Sequence, residues 1–435
     1  MNITNREILE KITDDPLLKV VLWLLIFSYF YNLPVMSYSI TGDNELRLYD
    51  FLGVVLLLRY FQYFKYVNLG IDKVIFLRRF RDFAVYCTIS IILTFLIFLI
   101  KDRFIKFLQS FLYLYHMWVF FLGAVFLYFY LSTPKRYTRI FTFITILVLA
   151  EGILVIGQNI GVFPFLWSDA YYKAYSGFLS GSVGPNKIVI GMMMLISVIL
   201  LLGILYEKRL KVPKYLIYAA LTVAVICILL SGSRTTYVGV GVFLVYFLVK
   251  RTARFIQFAI MGSFFLVAVL YYNPTVLSRV SDTINGRIID RIDEPDDIKS
   301  AEDFTGLYED LGAGRKELHE NYVHFLLNNA WLLPIGQGFN NRSGIGYSAH
   351  NMYLTLIAEL GIFGLILYLR WLFSYLVIVK RKLPNLQMAV NGIVLAMMVT
   401  LYFGEHLYIF RPLFGILGFF MIACVLLLAP LRNTS

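Results

Sequence analysis

Residues 231–236, Ser-Gly-Ser-Arg-Thr-Thr, join two apolar segments with hardly any loop between them. The chain must therefore reverse within a few residues. Gly232 is suited to end the first helix in a left-handed conformation, and Ser233 or Thr235 can cap the next helix. Arg234 would then lie beside the positive end of a helix, where backbone N–H groups and a guanidinium together favour an anion such as a phosphate. The alternative is an arginine that only extends to lipid headgroups.

His350 and Asn351 stand immediately before another apolar segment. Asn351 is a suitable N-cap, which places His350 just outside the helix and near its positive end. This position disfavours the imidazolium, so we expect a neutral imidazole that can accept a proton as a general base. The alternative is a histidine that merely lies at the water interface. Gly361 and Gly364 share one helical face of this segment and are expected to permit close helix packing.

Ionisable side chains inside a membrane are costly and are often functional. The apolar segments and their ends contain a few of them: Arg59, Glu151, Glu359, Glu405 and His406. The three glutamates are expected on the same side of the membrane as Arg234 and His350. They would orient the histidine, bind sugar hydroxyls or pair with groups on other helices.

An acidic run at 293–297, Asp-Glu-Pro-Asp-Asp, raises the question of a metal site. A proline-broken acidic stretch without a nearby histidine is typical of a solvated loop, and hard cations need several converging oxygen ligands. We therefore predict no metal and no other cofactor.

The composition excludes an ordinary soluble domain. Of the 435 residues, 59% are hydrophobic and only 15% are charged, which leaves too little polar surface to cover a globule of this size. The net charge is +12, but most basic residues lie in short segments between apolar ones, where they set membrane topology. Nucleic acid is therefore not an expected partner. The three cysteines all fall in apolar segments and indicate neither disulfides nor zinc.

A helix that crosses a membrane needs about 20 mostly apolar residues. We predict twelve such spans, at 17–36, 51–66, 83–100, 106–131, 138–158, 187–206, 214–231, 236–250, 254–271, 352–379, 387–405 and 411–430. Basic clusters recur in alternate connections, with one exception at 101–106, so these connections and both termini are expected in the cytoplasm. The first span lacks a small-residue cleavage site and is expected to be retained. The predicted fold class is an all-α polytopic membrane protein.

The connection from 272 to 350 is the longest hydrophilic segment of the chain. Loops of this length are usually functional or disordered. An amphipathic stretch from Asn321, followed by Gly336 and Gly338, favours partial order with at least one helix lying on the membrane. The predicted organisation is spans one to nine at 1–271, an extracytoplasmic loop at 272–350 and the last three spans at 351–435.

Several short motifs occur in a distinctive order over about residues 180–380: Gly184-Pro-Asn186, Ser231-Gly-Ser-Arg234, Gly314-Arg315, Gly336-x-Gly338, and His350-Asn351 followed by Gly361-x-x-Gly364. In this order and topology they resemble the bacterial O-antigen ligase and O-antigen polymerase family. The first five spans match that family only as hydrophobic helices.

The resemblance implies a GT-C-like membrane glycosyltransferase that takes a glycan from undecaprenyl diphosphate and transfers it to a hydroxyl acceptor without a metal or a nucleotide sugar. Arg234 and Arg315 resemble the arginines that hold the donor diphosphate, and His350 resembles the base that deprotonates the acceptor. Further substrate-binding residues are expected at Ser231, Ser233, Asn186, Asn351, Glu359, Arg287 and Arg291, whereas Arg279 has no assigned role. The implied location is the bacterial inner membrane, with the site facing the periplasm or cell exterior and a chain-length regulator as a possible partner.

Three functions remain open. A polymerase extends another lipid-linked repeat unit, whereas a ligase transfers the glycan to lipid A core. We favour the polymerase because polymerases are the more diverse group, although the His-Asn and Gly-x-x-Gly spacing leans towards a ligase. A flippase or transporter should line a path near the bilayer midplane with polar groups, whereas the ionisable groups here are expected at one face.

Overall fold

The computed structural model describes residues 12, 14–37, 45–101, 104–169, 180–207, 210–272, 315–378, 383–408 and 414–429. Thirteen α-helices account for most of this described part: α1 (Pro16–Phe30), α2 (Leu48–Gln62), α3 (Phe64–Asp72), α4 (Ile75–Ile100), α5 (Phe104–Tyr130), α6 (Pro134–Asn159), α7 (Lys187–Leu205), α8 (Lys214–Ser231), α9 (Arg234–Tyr272), α10 (Arg315–Asn328), α11 (Met352–Val377), α12 (Pro384–Thr400) and α13 (Phe414–Leu428). A short antiparallel hairpin, β1 (Pro34–Ser37) and β2 (Glu45–Arg47), joins α1 to α2, and a 3₁₀ turn covers Ala330–Leu332.

The helices are those of a membrane protein. Within the described residues, six helices are long and apolar enough to cross a bilayer, namely α4, α5, α6, α7, α8 and α11, and shorter apolar helices cover Pro16–Phe30, Pro384–Thr400 and Gly415–Leu428. The predicted helical membrane fold is therefore confirmed. The number of twelve spans and the GT-C-like architecture stay predictions.

One expected boundary agrees with the structure and one does not. The predicted break between spans 236–250 and 254–271 coincides with a kink in α9 at Arg251, where the backbone is non-helical with φ −147° and ψ 51°. The expected loop before span 83–100 is helical from Ile75 onwards, although it contains Arg79 and Arg81. Long basic side chains can extend from a helix end to polar partners: Arg81 pairs with Asp72 at 2.7 Å, and Arg79 donates to the carbonyl of Arg370 at 3.1 Å.

The centre of the bundle is α7, which packs against α6, α8, α9, α12 and α13. The consecutive residues Met192, Met193 and Met194 are all fully buried. Three successive residues point in three directions around a helix, so α7 is covered by protein on every side. By contrast, α4 exposes Ile89 and Ile92, as expected for a helix with a lipid-facing side.

Helix α11 is interrupted at Gly361, which has φ 69° and ψ −177°, a conformation that is essentially restricted to glycine. Residues 333–338 lie against the break and use the backbone groups that it exposes. Gln337 N–H donates to the carbonyl of Ala358 at 2.9 Å, and Ile362 N–H donates to the carbonyl of Leu333 at 2.7 Å. The protein therefore satisfies these backbone groups internally, as a membrane requires.

The Gly336-x-Gly338 motif allows this close approach. A Cβ atom at Gly336 would lie 2.4 Å from the backbone carbonyl of Glu359, and one at Gly338 would lie 2.5 Å from Thr94 Oγ1. Gly361 was expected to pack against another helix, but it packs against the loop segment at Pro334. Gly364 does face a neighbouring helix, with its Cβ position 3.2 Å from the Tyr86 ring.

We predict that Gly361→Ala destabilises the protein. Its Cβ would lie 2.3 Å from the carbonyl oxygen of Pro334, and the strained backbone alone costs roughly 1–3 kcal/mol. The measurement is the temperature at which the detergent-solubilised protein loses its monodisperse peak. Gly241→Ala is the matched control, because a Cβ there meets nothing within 4 Å. Equal melting temperatures for the two variants would contradict the assigned role of the break.

Candidate functional site

The turn between α8 and α9 has the predicted geometry. Gly232 ends α8 with φ 55° and ψ 22°, and Ser233 Oγ accepts the N–H of Thr236 at 3.4 Å, so Ser233 caps α9. The buried Ser231 hydroxyl donates to the carbonyl of Ile228 at 2.7 Å. Arg234 is the first residue of α9 and is half-buried. It therefore lies at a helix N-terminus, as expected.

The start of α11 also follows the prediction. Asn351 Oδ1 accepts the N–H of Tyr353 at 3.0 Å and that of Leu354 at 3.3 Å, which is the N-cap expected from the sequence. His350 precedes it with an exposed side chain and a φ of 49°. A left-handed conformation costs a non-glycine residue roughly 1–2 kcal/mol. The His350 N–H donates to Ser348 Oγ at 3.1 Å.

The starts of α9 and α11 meet at the C-terminal end of α12. Met352 N–H donates to the carbonyl of Leu401 at 2.9 Å, immediately after α12. Helix α9 contacts the same end of α12 at Gly239, where a Cβ would lie 2.9 Å from Thr400 Cγ2. Arg234 is less than two helical turns before Gly239, so the structure brings the helix starts of Arg234 and His350 to one end of the bundle.

Helix α10 reaches the same turn. The ring of His319 packs edge-on against that of Tyr402, with 5.7 Å between the centroids. Arg315 begins α10 one helical turn before His319, but its side chain is not among those described. Three further arginines lie wholly outside the described residues, namely Arg279, Arg287 and Arg291.

The start of α7 lies beside the α9 turn. Asn186 Oδ1 caps α7 by accepting the N–H of Ile188 at 2.9 Å. One turn later, Gly191 approaches α9 so closely that a Cβ would lie 2.3 Å from Thr236 Oγ1 and 3.1 Å from Ser231 Oγ. The N-termini of α7, α9 and α11 are therefore gathered at one end of the bundle. The positive ends of three helix dipoles therefore favour an anion there.

Glu151 holds the segment that leads into α7. It is buried, and its carboxylate accepts the Ser182 N–H at 2.7 Å, the Ser182 hydroxyl at 2.6 Å and the Val183 N–H at 3.2 Å. The carboxylate is thus occupied by the protein backbone just before Asn186. Its role in the described structure is to fix this segment.

Arg342 forms an ion pair with each of two buried glutamates. Its Nε donates to Glu359 Oε1 at 2.7 Å, and its Nη2 donates to Glu405 Oε2 at 2.8 Å. Glu359 lies on α11 and Glu405 follows α12, and both carboxylates are almost fully buried. Of the three roles that the sequence allows for Glu359, which are to orient the histidine, to bind sugar or to pair within the protein, the structure shows the third.

The loop is attached to the same carboxylates at further points. Glu359 Oε2 accepts the N–H of Asn340 at 3.0 Å. Glu405 Oε1 accepts the hydroxyls of Ser348 at 2.7 Å and of Thr355 at 2.6 Å. Residues 340–348 are therefore fastened to α11 and to the end of α12 by charge-assisted hydrogen bonds.

The electrostatics of this region follow from burial. Burial opposes the charge on Arg342, but Glu405 and Glu359 outweigh it and hold the pKa of the guanidinium well above its usual value. His406 is fully buried, which lowers the pKa of its imidazole to about 3. Its Nε2 lies 3.0 Å from Thr400 Oγ1. His406 is therefore neutral at physiological pH and is packed into the turn after α12.

The sequence patterns do not indicate Arg342, Ser348 and His319 as site residues. A signal for Arg342 exists, because a buried carboxylate needs a cationic partner, and the sequence places Glu359 and Glu405 within or at the end of apolar segments. Ser348 offered no such signal, since its role depends on contacts made across the fold. Among the described residues, no group of three or more His, Cys, Asp or Glu side chains could hold a metal ion.

Residues 219–369 match a family model described as O-antigen ligase. This stretch runs from α8 to α11 and includes Arg234, Arg342, His350 and the helix break at Gly361. The match thus covers the helix starts that meet at the end of α12. No curated protein matches the chain.

We predict that Arg342→Met destabilises the protein by roughly 3–5 kcal/mol, because it leaves two buried carboxylates without their cation. The measurement is the melting temperature in detergent together with the yield of monodisperse protein. Arg139→Met is the matched control, since Arg139 is exposed on α6. Adding Glu359→Gln to Arg342→Met should recover part of the loss. A single variant that melts like the parent protein would show that the ion pairs do not hold the loop.

Proposed function

We propose that this protein, a member of an O-antigen ligase/polymerase-like family, transfers a glycan from undecaprenyl diphosphate to a hydroxyl of another lipid-linked repeat unit. The supporting observation is that α9, which begins at Arg234, and α11, which begins just after His350, both contact the turn that ends α12. The turn at the end of α12 thereby holds the start of α9, where an anion could bind, close to the candidate base His350.

The donor diphosphate would bind where helix N-termini gather. Arg234 begins α9, and Asn186 and Ser233 cap α7 and α9 through backbone N–H groups. Each charge-assisted hydrogen bond to a phosphate contributes roughly 1.5–3 kcal/mol. We assign Arg315, at the start of α10, to the same diphosphate. The caps, together with Ser231 and Asn351, would act mainly by orienting these helix starts.

The acceptor would bind beside His350. Its hydroxyl oxygen attacks the anomeric carbon of the donor sugar while the bond from that carbon to the phosphate oxygen breaks. The electron pair leaves with undecaprenyl diphosphate, and the hydroxyl proton passes to the imidazole of His350. Since the diphosphate is already a good leaving group, the protein needs only to stabilise its charge and accept one proton. No step in this scheme calls for a metal or a nucleotide sugar.

We place the site on the extracytoplasmic face of a bacterial inner membrane. The basic clusters in alternate connections support this orientation, with both termini in the cytoplasm. The twelve spans and GT-C-like architecture expected from the sequence belong to the same proposal. In this orientation, Glu359 would lie on the substrate side, and the substrate-binding roles expected for Arg287 and Arg291 concern residues outside the described ones.

A ligase is the second candidate, and one observation favours it. The family model that matches residues 219–369 is described as O-antigen ligase. A ligase would use the same donor site and the same base. Only the acceptor would differ, because the hydroxyl would belong to lipid A core.

We predict that His350→Asn reduces glycan transfer by about 10²–10⁴-fold, the usual contribution of a general base. Asparagine tolerates the left-handed backbone at this position better than alanine, so the change removes the imidazole without adding strain. The measurement is the rate at which purified protein in detergent extends a lipid-linked repeat unit.

Two other histidines make this test specific. His324→Ala removes an exposed histidine of α10 and should leave transfer unchanged. His319→Ala removes the ring that packs on Tyr402. If His319→Ala were inactive and His350→Asn fully active, the base would have been assigned to the wrong histidine.

A second prediction separates polymerase from ligase. The purified protein is incubated with undecaprenyl diphosphate-linked repeat units, with and without lipid A core, and the products are resolved by gel and mass spectrometry. A polymerase is expected to form longer lipid-linked chains in both mixtures. Product that forms only with lipid A core would establish the ligase instead, and no product in either mixture would refute glycan transfer.

A further inference from the structure

The backbone of His350 is tied to a buried carboxylate through one hydroxyl. Ser348 Oγ accepts the N–H of His350 at 3.1 Å and donates to Glu405 Oε1 at 2.7 Å. Glu405 is 3% exposed. The hydroxyl of Ser348 therefore links the exposed histidine to a fixed point inside the bundle.

The chain on the other side of His350 is tied to the same carboxylate. Thr355, in the first turn of α11, donates its hydroxyl to Glu405 Oε1 at 2.6 Å. Arg342 in turn fixes Glu405 at 2.8 Å. The residues before and after His350 are thus both held by Glu405, and Glu405 is held by Arg342.

This attachment coincides with an unusual backbone. Ala349 and Asn351 are buried, whereas His350 between them is exposed and has a φ of 49°. The left-handed conformation turns one side chain out of the bundle while its neighbours stay inside. A non-glycine residue keeps such a conformation only where contacts with its neighbours enforce it. The hydrogen bond from the His350 N–H to Ser348 is one of these contacts.

We propose that Ser348 is a positioning residue. Its hydroxyl, held by Glu405, fixes the backbone of His350 and thereby the direction in which the imidazole meets the acceptor hydroxyl. This inference rests on the proposed role of His350 as the base. Ser348 itself takes no proton and touches no reacting atom. Its contribution lies in the alignment of base and hydroxyl, on which the rate of proton transfer depends steeply.

A positioning role has a distinct kinetic signature. Because the donor is held elsewhere, at the helix starts of α7 and α9, loss of the Ser348 hydroxyl should lower kcat and leave KM for the donor nearly unchanged. A merely structural role would instead lower the amount of folded protein and reduce all activity in proportion. The value of kcat per folded protein therefore separates the two roles, because it falls only if Ser348 positions the base.

The experiment compares Ser348→Ala, Ser348→Thr and Ser343→Ala in the full-length protein, with a lipid-linked repeat unit as substrate. Ser348→Ala is expected to lower kcat by about 10- to 100-fold with KM changed less than about twofold. Ser348→Thr keeps the hydroxyl and should restore most of the rate. Ser343→Ala is the matched control, because Ser343 lies in the same loop and its Oγ contacts Lys101 at 3.4 Å rather than His350.

Melting temperature and monodispersity are measured for every variant, and activity is expressed per folded protein. Full activity of Ser348→Ala, with His350→Asn inactive, would refute positioning by Ser348 and leave the base assignment intact. Full activity of both variants would instead refute the base on which the inference rests. Low activity of Ser348→Thr equal to that of Ser348→Ala would also overturn the proposal, because the hydroxyl would then not be the group that matters.

Discussion

The pairing of Arg342 with Glu359 and Glu405 is the interaction on which this end of the bundle, where α11 begins and α12 ends, depends. Two carboxylates in a nearly dry environment cost several kcal/mol each unless a cation and hydrogen bonds compensate them. One guanidinium reaches both, at 2.7 and 2.8 Å. Since Glu359 lies on α11, Glu405 follows α12 and Arg342 lies in the loop, this arrangement fixes three parts of the chain relative to one another. If the loop left this position, the two buried carboxylates would lose their cation.

The same ion pairs explain how the backbone of His350, an exposed residue, can be held in a defined position. The side chain of His350 is exposed, and its backbone conformation is unfavourable. Neighbouring residues whose hydrogen bonds end at Glu405 contribute to its anchoring. A water-accessible imidazole near these helix starts suits the proposed reaction, in which the hydroxyl of an acceptor glycan must meet a diphosphate attached to a lipid.

The sequence was sufficient for features that arise locally. The left-handed Gly232, the caps at Ser233 and Asn351 and the start of α7 at Asn186 follow from residue type and spacing within one helical turn. The Arg342 ion pairs and the contact of Ser348 with Glu405 were not predicted, because they join residues 17 to 63 positions apart. The break in α11 was missed for a similar reason. Gly361 permits the break, but the break is favourable only because residues 333–338 form hydrogen bonds with the backbone groups that it exposes.

The break in α11 also limits where the length of the chain can vary. Between Leu333 and Gly338, successive backbone groups pair with partners on both sides of Gly361, and both glycines of the Gly336-x-Gly338 motif sit where no Cβ fits. Insertion or deletion of one residue in this stretch would bring a side chain to a glycine position and mismatch every pairing after it. Proteins with this helix break should therefore have the same number of residues between Leu333 and Gly338, and any difference in the size of the loop should fall elsewhere in the sequence.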